Sequence, residues 1–134
     1  MNRRQQREWV FKLIFQDSIN DIKENNDLFQ NHDLSENETY IIKSIDSYKK
    51  HYDEIVVKLE DSLSARYSNI SKVAKSIIYL SINEIYFLDI PVSVSINEAV
   101  DLAKKYTSND EYKIINKVLG DIVRKDKNEK ASNS

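Results

Sequence analysis

The chain has 134 residues, of which 40% are hydrophobic and 31% charged, with one Gly, one Pro, no Cys and a formal net charge of −2. That length suits one domain with a real core, two turn-formers are too few for a sheet protein of this size, and the lack of Cys excludes disulfides and thiolate metal sites. No apolar run approaches the roughly 20 residues that span a bilayer, and no small-residue cleavage site follows the charged N-terminus, so a cytoplasmic, mainly helical protein is expected.

In chain order, residues 3–18 carry Trp9, Val10, Leu13 and Ile14 at helical spacing, with Phe11 and Phe15 beside them. This apolar face is wider than one core contact needs. Residues 19–34 are polar, with room for one weak short helix around Ile22 to Phe29. Ser35-Glu36-Asn37-Glu38 fits a capping box, in which a Ser hydroxyl caps the backbone three residues on and a Glu reaches back. It opens a long pattern through Ile41, Ile45, Tyr48, Tyr52, Ile55, Val56, Leu59 and Leu63, which predicts two helices with a break near 50–53. Residues 70–88 are apolar nearly all round, the mark of a central helix, and Asp89-Ile90-Pro91 ends them because Pro disfavours helix in the residue before it. Two further capping boxes, Ser95-Ile96-Asn97-Glu98 and Ser108-Asn109-Asp110-Glu111, predict a helical hairpin over 95–107 and 109–125. The polar tail 126–134 is expected to be disordered. The prediction is an all-α bundle of six to seven helices, with residues 1–125 as one domain.

Little in the chain supports catalysis. His32 and His51 are its two histidines, neither has metal-ligand spacing, and both are expected to be solvated. There is no P-loop, GxGxxG or HExxH. Adjacent carboxylates such as Asp53 and Glu54 point to different sides of a helix. No catalytic residue, metal site or cofactor is therefore expected. Charge is unevenly spread, with Arg3, Arg4, Arg7 and Lys12 near the start, Lys113, Lys117 and Arg124 near the end, and an acidic middle over residues 17–61. A polyanion would meet the two ends, although mixed surface charge alone produces such runs. Arg3, Arg4 and Arg7 share a helix face, and a guanidinium fork suits phosphate and base stacking. Glu84, in the most apolar helix, is an exposed side chain, half of an internal ion pair, or a polar anchor on a protein-binding face. Asn97 reads as an amide tying a helix end. For Asn116, beside Lys113 and Lys117, ligand contact is an equal reading.

Several segments together resemble the NusB family of bacterial transcription antitermination factors. Arg3-Arg4-Gln5-Gln6-Arg7-Glu8, running through Leu13 to Phe15, is similar to the family's arginine-rich first helix. Ile82-Asn83-Glu84-Ile85 resembles its Leu-Tyr-Glu-Leu, and Ser95 to Lys104 resembles its Ile-Asn-Glu-Ala-hydrophobic-Glu-Leu-Ala-Lys. Lys113-Ile114-Ile115-Asn116-Lys117-Val118-Leu119 resembles its Lys-Phe-Val-Asn-Gly-Val-Leu. Lys117 stands where the family usually has Gly, and Gly120 where it usually has Asp. The resemblance implies two small helical sub-bundles that bind boxA-type RNA of ribosomal RNA operons together with the ribosomal protein NusE, within the RNA polymerase antitermination complex. It implies RNA contacts at Arg3, Arg4, Arg7, Lys113, Asn116 and Lys117. The apolar excess on the first and central helices places a protein-partner surface at Phe15 and Glu84. The alternatives are a stand-alone protein-interaction module and a relative of the RNA-binding domain of ribosomal RNA cytosine methyltransferases.

Overall fold

The computed structural model describes residues 1–20, 38–63 and 69–132, and all regular structure in them is helical. The helices are α1 (Arg3–Asn20), α2 (Thr39–Lys50), α3 (Tyr52–Ser62), α4 (Lys72–Phe87), α5 (Val92–Tyr106) and α6 (Glu111–Ser132). α4 packs against all five others, as its nearly all-round apolar sequence predicts. Its Ala74, Ile77, Ile78, Leu80 and Ile82 lie in one core with Val10, Phe11, Leu13 and Ile14 of α1, Ile41, Ile45 and Tyr48 of α2, Ile55 and Leu59 of α3, and Ile115, Val118, Leu119 and Ile122 of α6. All six helices thus share one apolar interior, α5 entering it through Ala99, Leu102 and Ala103.

The junctions follow local chemistry. His51 breaks the long 39–62 pattern within the expected window, at φ −109° and ψ 16°. It is not the solvated side chain expected, because its ring stacks flat on Phe87 at 3.8 Å. His32, the weak helix around Ile22 to Phe29, and Ser35 to Asn37 lie outside the described residues. α4 is capped by Ser71, whose hydroxyl accepts the Ala74 N–H at 3.0 Å. Asp89 turns the chain in the left-handed region, at φ 56°, where Asp is among the tolerated residues.

Two helix starts differ from expectation. α5 begins at Val92, so Ser95 is inside the helix, buried, and its hydroxyl bonds sideways to α4 rather than capping. α6 begins at Glu111, because Asn109 and Asp110 both take left-handed backbone (φ 57° and 60°) and leave Ser108 in the turn. α6 also runs to Ser132, into the tail expected to be disordered from Asp126 onward. Lys58 of α3 pairs with Asp126 at 3.4 Å and Lys125 donates to the Asp61 carbonyl at 3.3 Å, so the neighbouring helix supports the extension. The tail's Lys, Glu and Ala are themselves good helix formers.

Candidate nucleic-acid interface

The arginine-rich first turns of α1 divide between the surface and the interior. Arg3 and Arg4 are exposed, whereas Arg7 is 4% exposed and faces the fully buried Glu84 of α4. Arg7 Nε donates to Glu84 Oε2 at 2.9 Å. The Tyr40 hydroxyl of α2 donates to the same oxygen, and the Ser95 hydroxyl of α5 donates to Oε1 at 2.9 Å. Glu98 comes within 3.7 Å of the Arg7 guanidinium. Burial is the largest single effect and works against the Arg7 charge, but Glu84, Tyr40 and Glu98 together outweigh it and hold Arg7 above its ordinary pKa. Burial, and then the neighbouring Glu84 charge, push the Tyr40 phenol well up, so it stays a donor. One carboxylate therefore joins α1, α2, α4 and α5. As placed, neither Arg7 nor Glu84 reaches an outside ligand: the expected RNA contact and the expected partner anchor are instead the two halves of an internal ion pair.

The other expected RNA contacts are on the surface. The Arg3 guanidinium lies over the Tyr40 ring at 4.3 Å. Arg4 bonds Asp101 at 2.6 Å and Glu98 at 3.3 Å, both on α5. Lys113, Asn116 and Lys117 are exposed on one face of α6, at the three- and four-residue spacing that makes helix neighbours. Lys117 and Arg124 both hold Asp121, at 2.9 and 2.5 Å. The hydrogen bond from Lys117, joined by Arg124 and opposed by burial, keeps the Asp121 carboxyl below its usual range. Phe15 is half-buried and stacks on Phe11 at 6.3 Å.

α5 is the link between these groups. At its middle it takes Arg4, through Glu98 and Asp101; at its end, Lys105 donates to Glu8 at 2.8 Å, the Tyr106 hydroxyl bonds the same carboxylate, and Tyr106 packs on Phe11 at 5.0 Å. Sequence alone did not single out Glu8, Tyr40, Ser95 and Glu98 as the partners that hold Arg4, Arg7 and Lys105 in place. The i, i+3 pair Glu98 and Asp101, facing one side of a helix, was the available signal for Arg4's partners. No group of three or more potential metal ligands occurs among the described residues, and no helix there is long and apolar enough to cross a membrane.

Residues 4–124 match the profile of the NusB family. The chain belongs to the NusB family. A Clostridium novyi (strain NT) relative named transcription antitermination protein NusB is 35% identical over 135 residues, covering 92% of this chain and 99% of its own. An Acetivibrio thermocellus relative of the same name is 39% identical, covering 92% and 90%. Among solved structures, T. maritima NusB superposes with a TM-score of 0.78 at 24% identity, covering 92% of each chain. A chain in the crystal structure of the antitermination factors NusB and NusE in complex with dsRNA superposes at 0.76 with 25% identity, covering 92% of this chain and 98% of that one. The matched stretch takes in all or part of each of the six helices and includes both Arg7 and Glu84.

Proposed function

We propose that this chain is a transcription antitermination protein that binds boxA-type RNA together with NusE, as part of the RNA polymerase antitermination complex in the cytoplasm. Its work is binding rather than bond chemistry. The observation that carries this reading is the near full-length similarity to proteins named for that role, one of them crystallised with NusE and RNA. Arg3 and Arg4 on α1, with Lys113, Asn116 and Lys117 on α6, supply RNA contacts. Phe15, on the apolar side of α1, faces the protein partner.

With a net charge of −2, the free chain binds RNA weakly, and a basic partner strengthens it. Such linkage is reciprocal: RNA tightens the protein pair by the factor by which the partner tightens RNA, ordinarily about 1–3 kcal/mol. Calorimetry of the pairwise and sequential steps with NusE and a boxA-type RNA measures it. The expected result is positive coupling, with RNA affinity reduced in the Arg3→Ala, Arg4→Ala variant and NusE affinity reduced in Phe15→Ala. Zero coupling would leave a helical adaptor with two independent surfaces.

A further inference from the structure

Two tyrosine rings on the exposed side of the α1–α5–α6 junction are each flanked by two lysines from different helices. Tyr106, the last residue of α5, has Lys12 of α1 at 5.9 Å and its neighbour Lys105 at 5.4 Å from its ring centre. Tyr112, in the first turn of α6, has Lys104 of α5 at 5.1 Å and Lys113 at 5.9 Å. Lys104 and Lys105 are consecutive on α5 and point to different sides of it, Lys105 towards α1 and Lys104 towards α6, so the two ring sites lie in one row, Lys12 and Lys105 about Tyr106, then Lys104 and Lys113 about Tyr112. The row runs from α1, across the end of α5, to the basic face of α6. The side chains of Lys12, Lys105 and Lys113 are 55%, 61% and 65% exposed, and Lys104 is exposed with no carboxylate partner among the described residues.

We propose that Lys12, Lys104 and Lys105 form a phosphate track that carries one RNA strand between the Arg3–Arg4 end of α1 and the Lys113–Lys117 face of α6. This deepens the RNA-binding reading above and rests on it. Ring faces attract ammonium groups, so Tyr106 and Tyr112 hold the lysine heads beside them at the surface, between the helices. Tyr106 is itself fixed by Glu8 and Phe11, which sets the spacing between α1 and α5. Glu8 accepts Lys105 at 2.8 Å and approaches Lys12 at 3.9 Å. Exposed pairs of this kind are worth little in water, so a phosphate with its counterions displaced competes for the same heads. The plainer role of Lys104 and Lys105 is to complement the dipole at the C-terminus of α5. That role accounts for neither Lys12 nor the shared rings.

The test is titration of a labelled single-stranded boxA-type RNA by the chain with NusE, from about 50 to 200 mM salt. Wild-type protein should bind with a strong salt dependence. The Lys12→Gln, Lys104→Gln, Lys105→Gln variant should bind at least about tenfold more weakly at low salt, with a log–log slope shallower by about 2, since each phosphate contact on a single strand contributes about 0.7. The corresponding triple Arg variant should retain the wild-type slope. Thermal melts and NusE affinity should be unchanged in both, a result that a dipole role alone does not predict. An unchanged slope in the Gln variant, with wild-type binding intact, overturns the track and leaves the RNA-binding reading standing. An equal loss in Lys125→Gln, Lys127→Gln, on the far end of α6, also overturns it, because the effect would then be overall charge. If wild-type protein with NusE binds no RNA at any salt, both readings fall.

Discussion

At the scale of single residues, one substitution at Arg7 or Glu84 should be read as a change in stability first. Removing one partner of a buried ion pair leaves an uncompensated buried charge and typically costs about 3–5 kcal/mol, whereas replacing both with apolar groups of similar volume is often near neutral. Arg7→Met and Glu84→Met should each lower the urea midpoint strongly, and the double variant should recover much of the loss. Arg3→Ala or Arg4→Ala should leave the midpoint nearly unchanged while weakening RNA. If Arg7→Met is as stable as wild type, the pair does not hold α1. The sequence could not separate these arginines. Residues 3, 4 and 7 share a face by helical arithmetic, and which part of a face turns inward depends on a carboxylate 77 positions away. Glu84 had an internal pair among its readings, and the geometry selects it. Ser95 was harder, because a Ser followed three residues later by Glu reads as a cap whether the helix starts there or one turn earlier.

At the scale of helices, periodicity carried most of the information. The apolar stripes on α1, α2, α3 and α4 are long enough that the 3.6-residue repeat dominates, and the break at His51 falls where the pattern becomes too long for one rod. Boundaries were less legible because packing sets them: α6 outlasts its apolar stripe by leaning on α3. Gly120 lies within that helix, where Gly is worse than Ala by about 1 kcal/mol. A methyl group added at Gly120 would meet the Arg124 guanidinium at 3.1 Å, the far end of a flexible, 63% exposed side chain. Arg124 can swing away, at the cost of its exposed pair with Asp121, which is small. Gly120→Ala should therefore raise stability by up to about 1 kcal/mol, seen as a higher melting temperature and slower amide exchange across 116–124. A lower melting temperature would mean that Arg124 is held too firmly to yield.

At the scale of the whole molecule, the bundle depends on α4 being covered from every side, and its covering includes phenols as well as aliphatic groups. Tyr40 and Tyr48 come from α2, Tyr79 and Tyr86 from α4, and burial raises the pKa of all four. Tyr79 is pushed up to about 12 by burial and then by Tyr52 and Glu60, and Tyr86 to about 12 by burial and then by Asp126. A phenol whose folded pKa lies above its unfolded value near 10 binds its proton more tightly in the folded chain. Its contribution is complete below pH 10 and is lost as pH rises towards 12. Allowing for partial exposure, each of these two phenols should cost at most roughly 1 kcal/mol by pH 11. Urea unfolding at steps from pH 8 to pH 11 should show a flat region, then a decline beginning near pH 10. Tyr79→Phe and Tyr86→Phe should each make that decline shallower while leaving stability near pH 8 little changed. A decline that begins well below pH 10, or is untouched by both substitutions, would mean that groups other than these two phenols govern alkaline unfolding.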